Sequence, residues 1–459
     1  MPINQNYSRR RFLQIMGATA AAGAFLSPRE AQFLARAQDV TNISFGGWGG
    51  VAEDEGVKAA IAHFEEEQNK IKVEWQHTPD AGEYGTVLLT NIAAGTAPDT
   101  SFIVADQYET LRQNGALLDI TDQIQADPLL GQADYFIQPQ ESNRSADANG
   151  RWHGIGSTWV AHHIYYNQAL FDEAGITPPG FGDDEIWEWD NFVEVCKQLT
   201  KDANGRHPGD AGFDAENIQQ WAVDWPMWWM PLAAAVHSNG GQFITDDGLS
   251  GLDSPEAMEA LQRLSDLIYV HNVAPRSAAL TNLGMNNTQM IDSNRLAMGV
   301  DGSWALSWMN PSLMQVPMGT GALPKMKQPA TIMQAHFHCV LAGSKHPQEA
   351  WEWVRFLSTP FYQTQFLKIG LWLPSQTALA TEEGLATWIT EGVHPDNYRQ
   401  FVSDYIPKHG VAARLPAGYI EAQNDYLQPA FDALANGEPV EDVFPKAVKQ
   451  ANQVLEANR

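Results

Sequence analysis

Three short segments of the sequence carry the side chains best suited to binding a small polar ligand. Trp48 stands between two glycine pairs, and Asp106 and Gln107 follow an apolar run that is typical of a strand. The segment WPMWWM, residues 225–230, places three tryptophans around one proline. A pyranose ring has one apolar C–H face and a rim of hydroxyl groups. Indole rings cover such a face and carboxylate or amide groups satisfy the rim, so these residue types predict a carbohydrate site.

The tryptophans of WPMWWM have three competing explanations: ligand binding, core packing and membrane insertion. Apart from a short stretch near the N-terminus, the sequence holds no apolar run long enough to span a bilayer, so this segment is not part of a transmembrane helix. Tryptophan is buried in most folds. We therefore expect one or two of Trp225, Trp228 and Trp229 to face the ligand and the remainder to support them, and the sequence leaves open which.

Strand-like and helical patterns alternate after residue 40. Strand-like runs at 41–45, 71–75 and 101–105 are separated by helical patterns, of which 83–94 and 108–114 are the clearest. This alternation predicts an α/β fold with a largely parallel sheet. Ligands of such folds bind at the carboxyl ends of the strands, where the lone tryptophan and the Asp-Gln pair both lie.

Length and charge narrow the class of protein. A chain of 459 residues, 44% hydrophobic, is too long for one ordinary core and predicts two large lobes. The formal net charge is −27, and the first 37 residues hold five arginines and one glutamate, so the remainder is near −31. Such a surface repels nucleic acid and anionic lipid, and we expect neither as a partner.

The N-terminal segment has the order of a secretory signal. Consecutive arginines, Arg9–Arg11, precede a mildly apolar stretch at 15–26, and Ala35-Arg36-Ala37 offers small residues at a cleavage site. These features predict a twin-arginine (Tat) signal peptide over residues 1–37 and export to the periplasm or the cell exterior. The alternative is a basic amphipathic helix.

Two cysteines occur, Cys196 in a helical pattern and Cys339 in a strand-like run. We expect two buried free thiols rather than a disulfide. Neither cysteine directly follows the leader, so the sequence does not support a lipid anchor on an N-terminal cysteine.

Three motifs suggest a metal, and each has a simpler explanation. Adjacent residues of a strand point to opposite faces, so Tyr165 and Tyr166 cannot both bind one iron ion. His336 and His338 share one face of a strand, but no further ligand follows nearby. The sequence 246–248, Asp-Asp-Gly, lacks the later ligands of a calcium loop. We expect no metal and no cofactor.

Six segments, taken in order, carry a resemblance to a known family. They are Gly95–Asp99 before the strand that leads to Asp106, Ile164–Phe171, Trp189–Phe192, Pro231–Gly241, Leu296–Trp304 and Gly370–Pro374. Together they resemble the extracellular solute-binding proteins of ABC importers, in particular the sugar-binding family that includes maltose-binding protein. Their common order across nearly the whole chain after the leader is more specific than any one of them.

The resemblance implies two α/β lobes joined at a hinge, with the ligand bound in the cleft between them. The implied lobes are residues 38–158 with 336–377 and residues 159–335 with 378–459, with crossovers near Thr158–Ala161, Ala335 and Ser375–Ala380. Binding would close the cleft, and the closed form would be offered to a membrane permease. The protein would be a monomer and would catalyse nothing.

The resemblance also implies contact positions. Asp106 and Gln107 match polar positions at the sugar, although Gln107 stands where maltose-binding proteins have a basic residue, which argues against a maltose-type ligand. Gly302 and Trp304 belong to the segment whose ring stacks on sugar. Residues 225–229 match the loop that supplies aromatic groups from the second lobe, and Trp372 lies near the third crossover.

Two other classes of protein compete with this interpretation. A secreted glycosidase needs two carboxylates about 5–10 Å apart, and no compact motif marks such a pair among the 55 acidic residues. A binding protein of the same fold could instead take a polyamine or a polyol phosphate. A phosphorylated ligand calls for clustered arginine or lysine, which the candidate loops almost lack.

Overall fold

The computed structural model describes residues 40–132, 135 and 150–459. The predicted signal peptide, residues 1–37, lies outside the described residues. Within the described part of the chain, no helix is both long enough and apolar enough to cross a membrane.

The described residues form one ten-stranded sheet surrounded by helices. The strands are β1 Thr41–Trp48, β2 Ile71–Thr78, β3 Thr100–Ile103, β4 Ile155–Asn167, β5 Lys201–Asp202, β6 Ile218–Asp224, β7 Leu296–Gly302, β8 Met318–Gly321, β9 Thr331–Val340 and β10 Gly410–Ala412. The helices of the first 300 residues are α1 Val51–Glu67, α2 Ala81–Ala94, α3 Ala105–Gln113, α4 Thr121–Ala126, α5 Gln168–Ala174, α6 Trp189–Leu199, α7 Trp229–Ser238, α8 Pro255–Tyr269, α9 Ser277–Leu283 and α10 Asn287–Asp292.

The remaining helices follow β9 and β10. They are α11 Pro347–Leu357, α12 Pro360–Leu367, α13 Thr377–Ala380, α14 Glu382–Trp388, α15 Tyr398–Gln400, α16 Ile406–His409, α17 Tyr419–Ala422, α18 Gln428–Ala435 and α19 Val440–Ala457. A 3₁₀ helix spans Ser303–Ser307, and π-helical turns span Phe401–Tyr405 and Gln423–Leu427.

The sheet is mixed, not largely parallel as the alternation of elements predicts. Its order is β2-β1-β3-β9-β4-β7-β6-β5, with β10 beside β9 and β8 beside β4. Pairing is parallel within β2-β1-β3 and between β6 and β7, whereas β3-β9, β9-β4 and β4-β7 are antiparallel. The two long strands cause the difference, because each runs from one end of the sheet to the other and they do so in opposite directions.

These two strands connect two lobes. The first lobe is built on β1, β2 and β3, of which β3 pairs with the Val340 end of β9. The second is built on β5, β6, β7 and β8, and β7 and β8 pair with the Asn167 end of β4. In between, residues 155–161 of β4 pair with residues 333–338 of β9. The β4-β9 ribbon therefore forms the connection on which the site is built.

Alternate residues of β4 pack into different hydrophobic clusters. Trp159 and Tyr165 belong to one cluster, and Val160 and Tyr166 belong to the other. This is the period of two that a strand imposes, and it confirms that adjacent tyrosines point to opposite faces. Strand β4 is buried along its whole length.

Local signals set several element boundaries. Ser254 caps α8 by accepting a hydrogen bond from the Ala257 amide, and a proline occupies the first turn. Helix α6 instead begins at Trp189, and its N-cap residue, Glu188, makes no side-chain capping hydrogen bond. Cys196 and Cys339 are both free and buried, as expected.

Candidate ligand-binding cleft

The floor of the cleft is one face of the β4-β9 ribbon. Thr158 pairs with His336 and Val160 with Gln334, so these side chains share a face with His162, two residues further along β4. His162 lies four residues beyond Thr158, a separation of about 13 Å along the strand. One group of side chains surrounds His336 at the first lobe, and another surrounds His162 at the second.

In the first lobe, Trp48 ends β1 and stands over His336. Its ring stacks on Phe102 with a centroid distance of 4.1 Å and meets the His336 ring edge-on at 5.1 Å. Burial lowers the pKa of His336 to about 4, so its imidazole is neutral at pH 7. A neutral ring can accept a hydrogen bond, and the Ala105 amide donates to its Nδ1 at 3.4 Å. The histidine thus joins the end of β1 to the start of α3.

A glycine turn brings Glu53 beside Trp48. Gly49 has φ +151°, and a Cβ atom there would lie 2.3 Å from Glu53 Oε2, so only glycine fits. The Glu53 side chain, in the first turn of α1, therefore folds back over the residue that follows Trp48. Burial raises the pKa of Glu53 to about 8. Sequence reasoning overlooked this residue, although the glycine run before it is the signal that could have found it.

Asp106 and Gln107 point in different directions. Asp106 lies in the first turn of α3, and its Oδ1 is buried without a hydrogen-bond partner. Burial raises the pKa of Asp106 to about 6. The Gln107 amide packs against α2, where a Cβ on Gly85 would lie 2.2 Å from Gln107 Nε2. The structure therefore places Gln107 in the interior of the first lobe.

The two lobes meet beside Asp106. The Gly418 amide, just before α17, donates to Thr110 Oγ1 of α3 at 3.2 Å. The next residue, Tyr419, is buried and lies within electrostatic reach of the Asp106 carboxylate. Asp106 thus stands where the first lobe touches a segment from the far end of the chain. Short-range sequence patterns cannot predict such a contact.

In the second lobe, two tryptophans flank His162. Trp228 and Trp304 meet its ring at centroid distances of 5.3 and 5.1 Å and lie 6.3 Å from each other. Burial lowers the pKa of His162 to about 3, so the ring is neutral, and neither of its nitrogens has a hydrogen-bond partner among the described residues. A Cβ on Gly302 would lie 2.1 Å from the Trp304 ring, so this glycine makes room for the ring.

The other two tryptophans of WPMWWM are more deeply packed. Trp225 is 4% exposed, lies 5.9 Å from Trp189, and donates from Nε1 to the Pro231 carbonyl at 3.3 Å. Trp229 stands perpendicular to Trp228 at 6.0 Å and contacts Tyr419 at 6.2 Å. Trp225 therefore belongs to the core of the second lobe, and Trp229 supports its neighbour.

Trp372 packs inside the first lobe. Its ring stacks on Phe366 at 3.9 Å, contacts Tyr362 at 5.7 Å, and is 4% exposed. Of the residues expected from the sequence, the structure gathers Trp48 and Asp106 at one end of the floor and Trp228, Gly302 and Trp304 at the other. It turns Gln107, Trp225 and Trp372 inward.

A groove of ≈ 1020 Å³ lies between α3 and α7, and none of the side chains around His336 and His162 described above lines it. Ala105 and Tyr108 of α3 form one wall, Trp229 and Ala233 of α7 form the other, and the segment 411–417 also contributes. Among the residues that the structure describes, no three histidine, cysteine, aspartate or glutamate side chains are grouped as metal ligands.

Comparison with known proteins shows to which class of protein this chain is similar. The family model described as bacterial extracellular solute-binding protein matches residues 48–364. An arabinooligosaccharide-binding protein of Halalkalibacterium halodurans is 27% identical over 218 residues, which are 47% of this chain and 43% of that protein. A multiple sugar-binding protein of Streptococcus mutans is 22% identical over 319 residues, 67% of this chain and 68% of that protein. The chain thus aligns with less than half the length of the first of these relatives.

Solved structures share the fold. An ABC substrate-binding protein from Listeria monocytogenes in complex with cycloalternan superimposes with a TM-score of 0.76 at 21% identity, covering 91% of this chain and 100% of that one. A maltose-bound protein from T. maritima gives a TM-score of 0.71 at 21% identity, covering 90% and 100%. Both comparisons extend over nearly all of the chain and establish the two-lobed fold.

Proposed function

The chain belongs to the bacterial extracellular solute-binding proteins, and from this premise we propose that it binds an oligosaccharide in the cleft and delivers it to an ABC importer. The observation that carries the proposal is the pair of rings, Trp228 and Trp304, beside the neutral His162. This uncharged aromatic surface suits the C–H face of a pyranose. The carboxyl groups of Glu53 and Asp106 at the other end of the floor suit its hydroxyl rim.

An oligosaccharide is favoured over a monosaccharide by the size of the site. The two groups of side chains are separated by about 13 Å along β4, as estimated from the strand rise. The sugar named for the H. halodurans relative is also an oligosaccharide.

The proposed lobes are residues 38–158 with 336–377 and residues 159–335 with 378–459. The boundaries fall where β4 and β9 pass from one part of the sheet to the other, and the third lies just after Leu373, which forms a bridge to Trp159. Binding would draw the lobes together about these strands, and the closed form would engage the permease. We further propose a Tat-exported monomer that acts outside the cytoplasm and has no cofactor.

A thermal-shift screen against mono- and oligosaccharides tests the proposal. A ligand that binds only the native state raises the melting temperature, so at least one oligosaccharide is expected to do so. Trp304→Ala should reduce the affinity for that sugar about tenfold, which corresponds to the loss of one ring contact. Trp308→Ala is the matched control, since Trp308 lies four residues away and is 46% exposed.

Three results would contradict the proposal. The first is the absence of any shift with sugars, the second is unchanged affinity in Trp304→Ala, and the third is release of free sugar from glycosides, which would indicate a glycosidase. Scattering in solution should show a more compact particle with ligand than without it, and an unchanged particle would argue against closure.

A further inference from the structure

Two polar side chains of β9 lie on the cleft floor with open hydrogen-bonding groups. Gln334 and His336 are alternate residues of the strand, so both point to the face of the β4-β9 ribbon that forms the floor. Among the described residues, neither the Gln334 amide nor Nε2 of His336 has a hydrogen-bond partner, and neither group is enclosed by the fold. In the ligand-free protein such groups bind water, which a polar ligand can displace.

His338, the next residue of β9 on this face, shows how the fold treats a structural histidine. Its side chain is 1% exposed, its Nδ1 is bonded to Ser157 Oγ, and its Nε2 is enclosed. His336 is half-buried instead, and its Nε2 is open. The rings of Trp48 and Phe102 stand nearly perpendicular to the His336 ring, at 86° and 82°. The fold thus fixes the plane of this ring and leaves one of its nitrogens free.

Gln363 of α12 provides the same contrast for Gln334. Gln363 is completely buried, its amide donates to the Ser157 carbonyl, and its Oε1 accepts from Ser375 Oγ at 3.4 Å. Gln334 is 8% exposed and has neither kind of bond among the described residues. It lies about 7 Å along the strand from His336, between the two ends of the floor. A sugar chain that spans the floor therefore passes over both side chains.

The Ala105 amide fixes which nitrogen of His336 carries the proton. This amide donates to Nδ1 at 3.4 Å, so Nδ1 holds no proton, and burial keeps the ring neutral by lowering its pKa to about 4. The single proton of a neutral imidazole then lies on Nε2, the open nitrogen. His336 is therefore a hydrogen-bond donor at the floor. A sugar hydroxyl can accept this bond, whereas an ammonium group offers only donors of its own.

We propose that His336 and Gln334 are ligand-binding residues, and that His336 Nε2 donates a hydrogen bond to a hydroxyl oxygen of a neutral oligosaccharide. The inference rests on the proposed carbohydrate function and specifies how the floor recognises the sugar. The Gln334 amide both donates and accepts, and so does the hydroxyl group that it would bind. A ligand with a protonated amine above His336 is excluded, because two donors would then face each other.

NMR spectroscopy of the protein with isotopically labelled histidine tests the tautomer without any ligand. Long-range nitrogen–proton correlation spectra at pH 7 should show the His336 proton on Nε2 and none on Nδ1. The spectrum of His336→Gln identifies the signal, because this variant lacks it. A proton on Nδ1 in place of Nε2 would make the open nitrogen an acceptor and would overturn the inference.

Variants of the two side chains test their contact with sugar by calorimetry. The probe is whichever of maltotriose, cellotriose, xylotriose and arabinotriose binds the unmodified protein most tightly. His336→Phe keeps an aromatic ring and Gln334→Met keeps the side-chain length, and each should weaken binding about tenfold because it removes a hydrogen bond. His336→Gln retains a donor and should recover part of the loss. His346→Phe and Gln348→Met, exposed positions at the start of α11, are the controls and should change the affinity less than twofold.

Monodeoxy derivatives of the same trisaccharide distinguish contact from a structural role. Each lacks one hydroxyl group, and at least one should bind the unmodified protein about tenfold more weakly than the parent sugar. For each of His336→Phe and Gln334→Met, one such derivative should bind no more weakly than the parent, because the partner of the missing hydroxyl is already gone. Losses that add for every derivative would mean that the side chains act through the fold, which would overturn the inference.

The outcomes separate this inference from the function on which it rests. Tight binding of a trisaccharide with unchanged affinity in both His336→Phe and Gln334→Met would overturn the inference and leave the carbohydrate function standing. Binding of spermidine without binding of any sugar would overturn both, since the ligand would then be a polyamine. Coupled losses between a variant and a deoxy derivative would support both.

Discussion

The two ends of the cleft floor use different chemistry. At the first-lobe end, Trp48 is held by Phe102 and His336, and the same end holds the carboxyl groups of Glu53 and Asp106. At the second-lobe end, Trp228 and Trp304 surround a histidine that burial keeps neutral. If both ends contact the ligand as we propose, the first would recognise hydroxyl groups and the second would cover an apolar face. A ligand that engages both ends would then couple recognition to closure of the lobes.

The difference between the two ends of the floor comes from the residues that follow each tryptophan in the sequence. The Gly46–Gly50 run lets the chain turn sharply after β1, so a side chain from α1 can fold back over it. The second lobe instead places a helix directly after the tryptophans, with α7 beginning at Trp229. Glycine leaves backbone and polar groups uncovered after β1, whereas the WPMWWM segment presents rings that support each other.

The largest expected effect comes from the tryptophans of WPMWWM, of which Trp225 lies in the core and Trp228 at the cleft. Trp225→Ala removes a ring packed against Trp189 and Phe192 and should lower the free energy of unfolding by about 3–5 kcal/mol. Trp228→Ala removes a half-buried ring at the cleft and should lower sugar affinity more than stability. Urea unfolding and calorimetry of both variants measure the two effects. Equal destabilisation, or loss of affinity only in Trp225→Ala, would contradict this assignment.

The sequence alone could not make that assignment. WPMWWM shows where rings cluster, but which ring faces the ligand depends on partners such as Trp189, Pro231 and Tyr419. The alternation along β4 was more informative, because a strand imposes a period of two whatever it packs against. The same rule, applied to His162 as it was to Tyr165, would have placed His162 on the cleft face.

The next prediction concerns Glu53, at the first-lobe end of the floor, and the dependence of stability on pH. Glu53 has a pKa of about 8 in the folded protein against 4.5 for the free group, so its contribution to stability is complete below pH 4.5 and is lost as the pH rises toward 8. Glu53→Gln should therefore stabilise the ligand-free protein by about 2–3 kcal/mol at pH 8, allowing for the partial exposure of Glu53, and much less at pH 5. Urea unfolding at the two pH values measures the difference.

Glu55→Gln is the control for that measurement, because Glu55 is exposed on the same helix turn. A stabilisation by Glu53→Gln that does not depend on pH would mean that packing, not charge, is responsible. No stabilisation at pH 8 would mean that the Glu53 carboxylate has a partner in solution.

The fold was more predictable than the site. Most elements of the first 120 residues and the cap of α8 follow from periodicity and capping residues, which act over a few positions. The antiparallel pairing of β4 and β9 does not, because residues such as Thr158 and His336 are far apart in sequence. Gln107 illustrates the same limit: its position after a strand suggested the cleft, yet it packs on Gly85.

The smallest expected effect concerns His162, at the second-lobe end of the floor. There, the change of stability with pH has the opposite sign to that expected for Glu53. The pKa of His162 is about 3 in the folded protein against 6.5 for the free group, because burial disfavours the charged ring and the neighbouring His163 adds to this. As the pH falls below 6.5 the unfolded chain takes up a proton that the folded protein does not, so stability is lost toward acid pH. His162→Phe keeps a ring between Trp228 and Trp304 and removes this titration.

Relative to the unmodified protein, His162→Phe should gain about 2 kcal/mol of unfolding free energy between pH 7.5 and pH 5. His346→Phe, at an exposed position before α11, provides the control and should give a curve parallel to that of the unmodified protein. Parallel curves for His162→Phe as well would mean that the pKa of His162 is the same in the folded and the unfolded chain, so that the ring takes up a proton below pH 6.5 in both. The second-lobe end would then carry a positive charge at acid pH. The opposite signs expected for Glu53 and His162 have one cause, since burial favours the uncharged form of an acid at the first end and of a base at the second.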